Sequence, residues 1–380
     1  MKPQQQALMP QALIQQQSLL ASPQEHANNL GQLENEEEIK NEMEGKTMKQ
    51  VILVQILTRA DSSEFYIVDL GLNQVLTTPF ATLCNEGGLG RTLCLGPVLY
   101  NVGGNIAEEA EDCDHDITIP SHGTHLGVSC LELNVPHLIS LMKGKELQDE
   151  YFLNKWKAAP LMQNRRGFPV CASLGGRIYA LGGLSPNFCI GEVFSPPLGP
   201  WEALSPPPSN LLVNWHCVSY PVIPDEKNER LLVHFRHVKS LYAYYPATGK
   251  WDCLAENFSP WKKATALVDD VLYIHYRGIP YCLVAYDLLA KVWLNIEDSS
   301  FLIAHIRVPR SLYMLNLGDG VLCLANSYVC HDENSDKTHL QFVKFRVERT
   351  SPSEVRITRI VVHRFPFEGY RRVFHFCCLK

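Results

Sequence analysis

Trp156-Lys157-Ala158-Ala159-Pro160-Leu161-Met162, then Arg165-Arg166-Gly167, then Ser173-Leu174-Gly175-Gly176-Arg177-Ile178-Tyr179-Ala180-Leu181-Gly182-Gly183, then Val193-Phe194 and Trp201: this is the stretch that decides the fold. A short apolar run ending in two glycines is a strand that must turn sharply where other backbone comes close. Six residues separate Phe194 from Trp201, and the same spacer separates Tyr244 from Trp251 and Tyr286 from Trp293. Trp156, Trp201, Trp251 and Trp293 follow one another at intervals of 45, 50 and 42 residues. A period of that size with several short strands per unit marks the blades of a propeller.

Working outward, Val68-Asp69-Leu70-Gly71-Leu72-Asn73-Gln74-Val75 aligns with Tyr286-Asp287-Leu288-Leu289-Ala290-Lys291-Val292-Trp293. It keeps the spacer and replaces both aromatics by valine, as a degenerate earlier copy would. Val98-Leu99-Tyr100-Asn101-Val102-Gly103-Gly104 is a weaker copy of the strand and its glycine pair. Val233-His234-Phe235-Arg236-His237 and Ile274-His275-Tyr276-Arg277-Gly278 stand where later copies have lost the glycines. Other strand signals are Val51–Leu57, Phe65–Leu70, Val321–Leu324 and Phe342–Val347, and a helix is expected only around Pro136 to Tyr151.

These residues resemble the kelch repeat. The resemblance places the family's motif on Gly103, Gly104, Trp156, Arg165, Gly182, Gly183, Phe194, Trp201, Tyr244, Trp251, Tyr286 and Trp293. It implies an all-β protein, a kelch-type β-propeller of six blades with about four antiparallel strands each. Apparent blades lie near 51–93, 94–166, 167–213, 214–261, 262–305 and 306–380, and the first or last strand is expected to close the ring and remove its exposed edges.

Composition sets the remaining bounds. The 380 residues are 46% hydrophobic and 19% charged, enough for a large buried interior. Residues 1–50 differ: Gln4-Gln5-Gln6 and Gln15-Gln16-Gln17 precede an acidic stretch from Glu34 to Glu44, the composition of a disordered tail. A formal charge of −6 argues against a whole-surface grip on nucleic acid. Thirteen cysteines lack paired C-x-x-C spacing and no secretory pattern precedes them, so they read as reduced, and the expected location is cytoplasmic or nuclear. No apolar run reaches the length of a membrane span. Between 341 and 380, nine Lys/Arg oppose three Glu; residues such as Lys344, Arg346 and Arg356 read as the solvated face of strands or as a basic patch for an acidic partner.

The candidate chemistry is sparse. Cys113-Asp114-His115-Asp116 and His122-Gly123-Thr124-His125 are metal-capable, but their spacing matches no closed four-ligand site, and an exposed loop accounts for them. His216, His234, His237, His275 and His305 recur near strands of different blades and would either converge on the central channel or pair with nearby backbone. Gly87-Gly88-Leu89-Gly90-Arg91 lacks the lysine of a phosphate loop and reads as a turn between blades. No catalytic motif and no cofactor is expected.

The function this predicts is a non-catalytic protein-interaction module or scaffold. Arg165 with Arg166, Asn187 with Phe188, and Arg236 with His237 are the candidate partner contacts, each between strand signals of successive blades. An arginine at 165 or 166 has a competing structural role, since in kelch proteins it often braces neighbouring loops. The resemblance also admits a substrate-recognition adaptor of a ubiquitin ligase; plant F-box proteins with kelch repeats match in size and texture, although Leu8-Met9-Pro10 is the only trace of an F-box start. A propeller enzyme or small-ligand specifier using channel histidines is the reading from a different class.

Overall fold

The computed structural model describes residues 51–58, 62–84, 90–104, 126–134, 138, 156–167, 169–183, 189–197, 199–211, 218–259, 261, 264–276, 282–297, 311–332, 335–368 and 371–379. The tail 1–50, both metal-capable motifs and most of the expected helix lie outside them. Of that helix only Leu138 is described, buried beside Leu53, Phe65 and Leu131.

Tight reversals set the architecture. Gly175-Gly176 and Asp319-Gly320 both carry positive φ at their two positions, the conformation whose twist suits a two-residue hairpin. They join adjacent antiparallel strands, and the same economy repeats along the chain to give twenty-five strands among the described residues.

The strands assemble into blades. The second blade holds β5 (Arg91–Leu95), β6 (Val98–Val102), β7 (Val128–Glu132) and β8 (Lys157–Ala158); the third holds β9 (Val170–Leu174), β10 (Arg177–Leu181), β11 (Gly191–Phe194) and β12 (Trp201–Ala203). The fourth is β13 (Ile223–Asp225), β14 (Arg230–Phe235), β15 (Ser240–Tyr245) and β16 (Lys250–Ala255). The fifth is β17 (Thr265–Val268), β18 (Val271–Tyr276), β19 (Cys282–Asp287) and β20 (Val292–Glu297). The sixth is β21 (Ser311–Gly318) with the long β22 (Val321–Asp332), β23 (Ser335–Ser351) and β24 (Glu354–Glu368); a short parallel pairing of β20 with β24 joins the fifth and sixth at their outer edges.

The first blade is composite. Its inner strand is β25 (Arg372–Cys378), which pairs antiparallel with β1 (Val51–Leu57) from the other end of the domain. β2 (Ser62–Asp69) follows, and the outermost strand is interrupted, β3 (Gln74–Val75) and β4 (Ala81–Cys84) each pairing with part of β2. The inner strands β5, β9, β13, β17, β21 and β25 are neighbours in that cyclic order, with β25 returning to β5, so the ring is closed. The structure is therefore an all-β propeller of six blades. Blade borders differ from those read in the sequence: the second blade starts at Arg91, the fourth at Ile223 and the sixth at Ser311, while 372–378 belong to the first.

The core is six apolar seams, one between each neighbouring pair of blades. Four of the blades repeat one cross-strand pair: Phe194 opposite Trp201, Tyr244 opposite Trp251, Tyr286 opposite Trp293, and Val68 opposite Val75 in the degenerate copy. Trp201, Trp251 and Trp293 sit on outermost strands and face the preceding blade. Trp201 stacks on Phe194 at 5.3 Å and donates Nε1–H to the Pro160 carbonyl of the second blade; Trp251 does the same to Ser205 of the third. Trp156 lies one residue before β8 and packs on Phe65 of the first blade at 5.3 Å. A blade cannot bury both faces alone, so these pairs make the ring cooperative.

Candidate functional site

Chain connectivity makes the two rims unequal. At one rim the inner strands end in hairpins as short as 96–97, 175–176, 269–270 and 319–320; only the 133–156 connection there is long. At the other rim, where every inner strand begins, lie the connections 103–127, 159–169, 182–190, 204–222 and 298–310. Binding residues concentrate on loops held by a rigid scaffold, so this long-loop rim is the candidate interaction face.

The three loops singled out in the sequence all open onto that rim. Arg236 and His237 are exposed in the reversal between β14 and β15. Phe188 lies outside the described residues, in the connection from β10 to β11. Arg165 is exposed, between β8 and β9, while its neighbour Arg166 is completely buried. The brace expected at Arg165 is therefore formed by Arg166.

That brace is a dense polar knot. Arg166 donates from Nε and Nη2 to Glu192 Oε1 at 3.1 and 2.9 Å, from Nη1 to the Gly182 carbonyl at 2.8 Å, and from Nη2 to the Cys189 carbonyl at 3.1 Å. Glu192, on β11 and equally buried, also accepts from the backbone N–H of Gln163 and Asn164. One ion pair thus ties the loop after β8 to both ends of the loop between β10 and β11. The glycine pair completes it at the end of β10, the second strand of its blade and not the innermost. Gly183 has φ +65°, and a Cβ there would lie 2.9 Å from the Pro169 nitrogen; Gly103, with φ +67°, meets the Arg166 carbonyl at 2.8 Å in the same sense. Glu192 carried no sequence signal, because a lone glutamate in a strand reads as solvent-facing until its blade neighbour is known.

Among the described residues the candidate histidines form no group placed to hold a metal. Strand register equates His234 and His275 with Ala180 and Asn101, each next to last on its second strand. His234 Nδ1 lies 2.9 Å from Ser219 Oγ and Nε2 lies 2.8 Å from the Phe258 carbonyl. Since a carbonyl only accepts, Nε2 carries the proton and Nδ1 accepts from the serine. Its ring stacks on Trp261 at 5.6 Å, and burial pushes its pKa down to about 4, as it does for His275. Both are neutral, and His234 sits in the seam between the fourth and fifth blades. His216 and His305 lie outside the described residues.

The basic stretch near the C-terminus is also not one solvated face. Lys344 is buried on β23, which lowers its pKa, and Arg349 and Arg356 pair with Asp287 and Glu297 of the fifth blade. Among the described residues, no group of three or more His, Cys, Asp or Glu is placed to hold a metal, and no helix is long and apolar enough to cross a membrane.

The axis carries a cluster that was not foreseen. Arg91 of β5, Cys171 of β9, Tyr220 just before β13, Tyr313 of β21, and Phe374 and His375 of β25 come together from five blades, near the starts of the inner strands. The Arg91 guanidinium carbon lies 4.7 Å from the centre of the Tyr220 ring and 5.2 Å from that of Phe374. Tyr313 donates its hydroxyl to the Phe374 carbonyl at 2.6 Å, and Tyr220 Oη lies 3.5 Å from His375 Nδ1. Only tertiary structure assembles these residues, since they span 285 positions of sequence.

No family model matches the chain. It is similar to a putative F-box/kelch-repeat protein of Arabidopsis thaliana, 28% identical over 181 residues that cover 47% of this chain and 45% of that protein. A second F-box/kelch-repeat protein of the same plant is 26% identical over 162 residues, 41% of this chain and 40% of its own length. The chain thus matches less than half the length of these curated relatives. The similarity supports a kelch-like kinship at that coarse level.

Proposed function

We propose that this chain is a non-catalytic, kelch-type interaction module that holds a protein partner on its long-loop rim. The observation that carries the reading is the asymmetry of the closed ring: long connections gather on the rim where Arg165, Arg236 and His237 are exposed, above loops locked by the Arg166–Glu192 pair. A rigid base with adaptable loops suits recognition of a surface, and a few aromatic or arginine side chains usually dominate such contacts. Phe188, Arg236 and His237 are the residues we assign to partner contact.

The names of the two similar plant proteins favour a narrower version, in which the module selects substrates for a ubiquitin ligase. In that version the partner on the rim is the substrate, and ligase components bind elsewhere on the chain.

Site-specific photo-crosslinking tests the reading. A benzophenone side chain at Arg236 should give a discrete protein adduct, whereas one at Asp319 on the opposite rim should not. Arg236→Ala and Phe188→Ala should then weaken binding of the adducted protein at least ten-fold with thermal stability unchanged. Adducts formed equally from both rims would refute the assignment, as would turnover of a small substrate that vanishes on changing His234 or His275.

A further inference from the structure

Among the described residues Arg91 is a cation without a counter-charge, set in the cluster on the axis of the ring. It is only partly exposed, its Nε is buried, and no acceptor among the described residues meets that N–H. No described carboxylate forms an ion pair with it. The described titratable groups of the cluster are uncharged at neutral pH. Burial, reinforced by Arg91, pushes His375 down to about 3, and burial pushes the Cys171 thiol up to about 12. The Tyr220 and Tyr313 hydroxyls are raised by burial as well, so neither supplies an anion.

Stacking on two rings offsets only part of what it takes to desolvate a guanidinium. A cation–π contact contributes about 0.5–2 kcal/mol, against a desolvation penalty of several kcal/mol for an uncompensated buried charge. The two rings also limit how the group can turn: its carbon lies 4.7 Å from the centre of Tyr220 and 5.2 Å from that of Phe374, so the fork of N–H donors is held in one region of the cluster. That planar fork is the geometry that receives two oxygens of one oxyanion side by side. The low-dielectric aromatic walls strengthen the attraction for whatever enters.

We infer that Arg91, held against the rings of Tyr220 and Phe374, is the centre of an oxyanion-binding site at the long-loop mouth of the channel, taking a carboxylate or phosphate group of a bound molecule. Tyr220 Oη stands at the edge of the cluster, and Tyr313 holds the backbone of Phe374 through its hydroxyl. The site does not depend on the partner of the rim being a protein: a free phosphate and an acidic side chain offer the same group.

Calorimetric titration of the full chain separates these sources, with inorganic phosphate in one arm and a blocked glycyl-glutamyl-glycine peptide in the other, both at ionic strength matched with chloride. Binding in either arm is expected, and it should weaken at least ten-fold in Arg91→Met. Binding of phosphate alone identifies a small phosphate-bearing ligand, and binding of the peptide identifies an acidic side chain of a protein. In chloride, Arg91→Met should melt at or above the temperature of the unaltered protein, since the thioether packs against the rings without a charge. Should that variant not fold, Arg91→Lys carries the comparison; it keeps the charge, loses the fork, and should bind several-fold more weakly. Absence of binding in both arms overturns the inference, as does equal affinity in the variants. Failure of the rim crosslinks would leave this result standing, and failure here would leave the rim reading standing.

Discussion

Replacing Arg166 by methionine removes the one cation that neutralises Glu192 and strips the hydrogen bonds from two carbonyls, Gly182 and Cys189. Both charged side chains are fully buried. Removing one partner of a buried pair typically costs about 3–5 kcal/mol, because the other charge is left without compensation. Each orphaned carbonyl adds about 1 kcal/mol or more, which places Arg166→Met at the upper end, near 5 kcal/mol. For domains of 150–250 residues, 1 kcal/mol corresponds to roughly 2–4 °C in Tm, so a fall of about 10 °C or more is expected in a thermal melt followed by circular dichroism. The internal control is its neighbour. Arg165→Met changes an exposed side chain and should stay within about 0.5 kcal/mol. In the double variant Arg166→Met with Glu192→Leu, the loss should be smaller than the sum of the single losses, because no charge is left orphaned. Equal effects at 165 and 166, or strict additivity in the double variant, would refute the reasoning.

Other perturbations follow the same geometry. Trp201→Ala should lower stability by about 3–5 kcal/mol in urea titration, and Trp156→Ala by clearly less, since Trp156 is half-buried; the reverse order would mean the seams are unequal in some other way. Acid should destabilise the ring early. His234, His275 and His375 have pKa values depressed to about 4, 4 and 3, so the unfolded chain binds protons that the folded ring refuses. Their contribution is intact above about pH 6.5 and falls by about 1.4 kcal/mol per histidine per pH unit as pH drops toward those values; a stability profile flat from pH 7 to 5 would contradict it. Gly183→Ala, which forces a Cβ against backbone at positive φ, should cost several times more than Gly127→Ala, where nothing lies within 4 Å, and differential scanning calorimetry reads the difference.

The repeating part of this protein was set by sequence alone. Aromatic, six residues, tryptophan is a local pattern: a reversal of four to six residues between two strands places the pair opposite each other in each copy, and even the valine copy at Val68 and Val75 obeys it. Glycine pairs are legible for the same reason, since positive φ is a property of the residue as well as of its place. Asp69 and Asp287 show how local it is; each accepts two backbone N–H bonds from the reversal that follows it. What tertiary structure decided is everything that needs two blades at once. Arg165 and Arg166 are indistinguishable in sequence, and only the position of Glu192 makes one a buried brace and leaves the other exposed. Lys344 reads as solvated until the first blade covers β23, and Arg91 reads as the end of a glycine turn until Tyr220 and Phe374 arrive from other blades. Ring closure is the limiting case: β25 and β1 stand at opposite ends of the domain, and no short-range pattern links them, yet removing the open sheet edges is what makes the propeller complete.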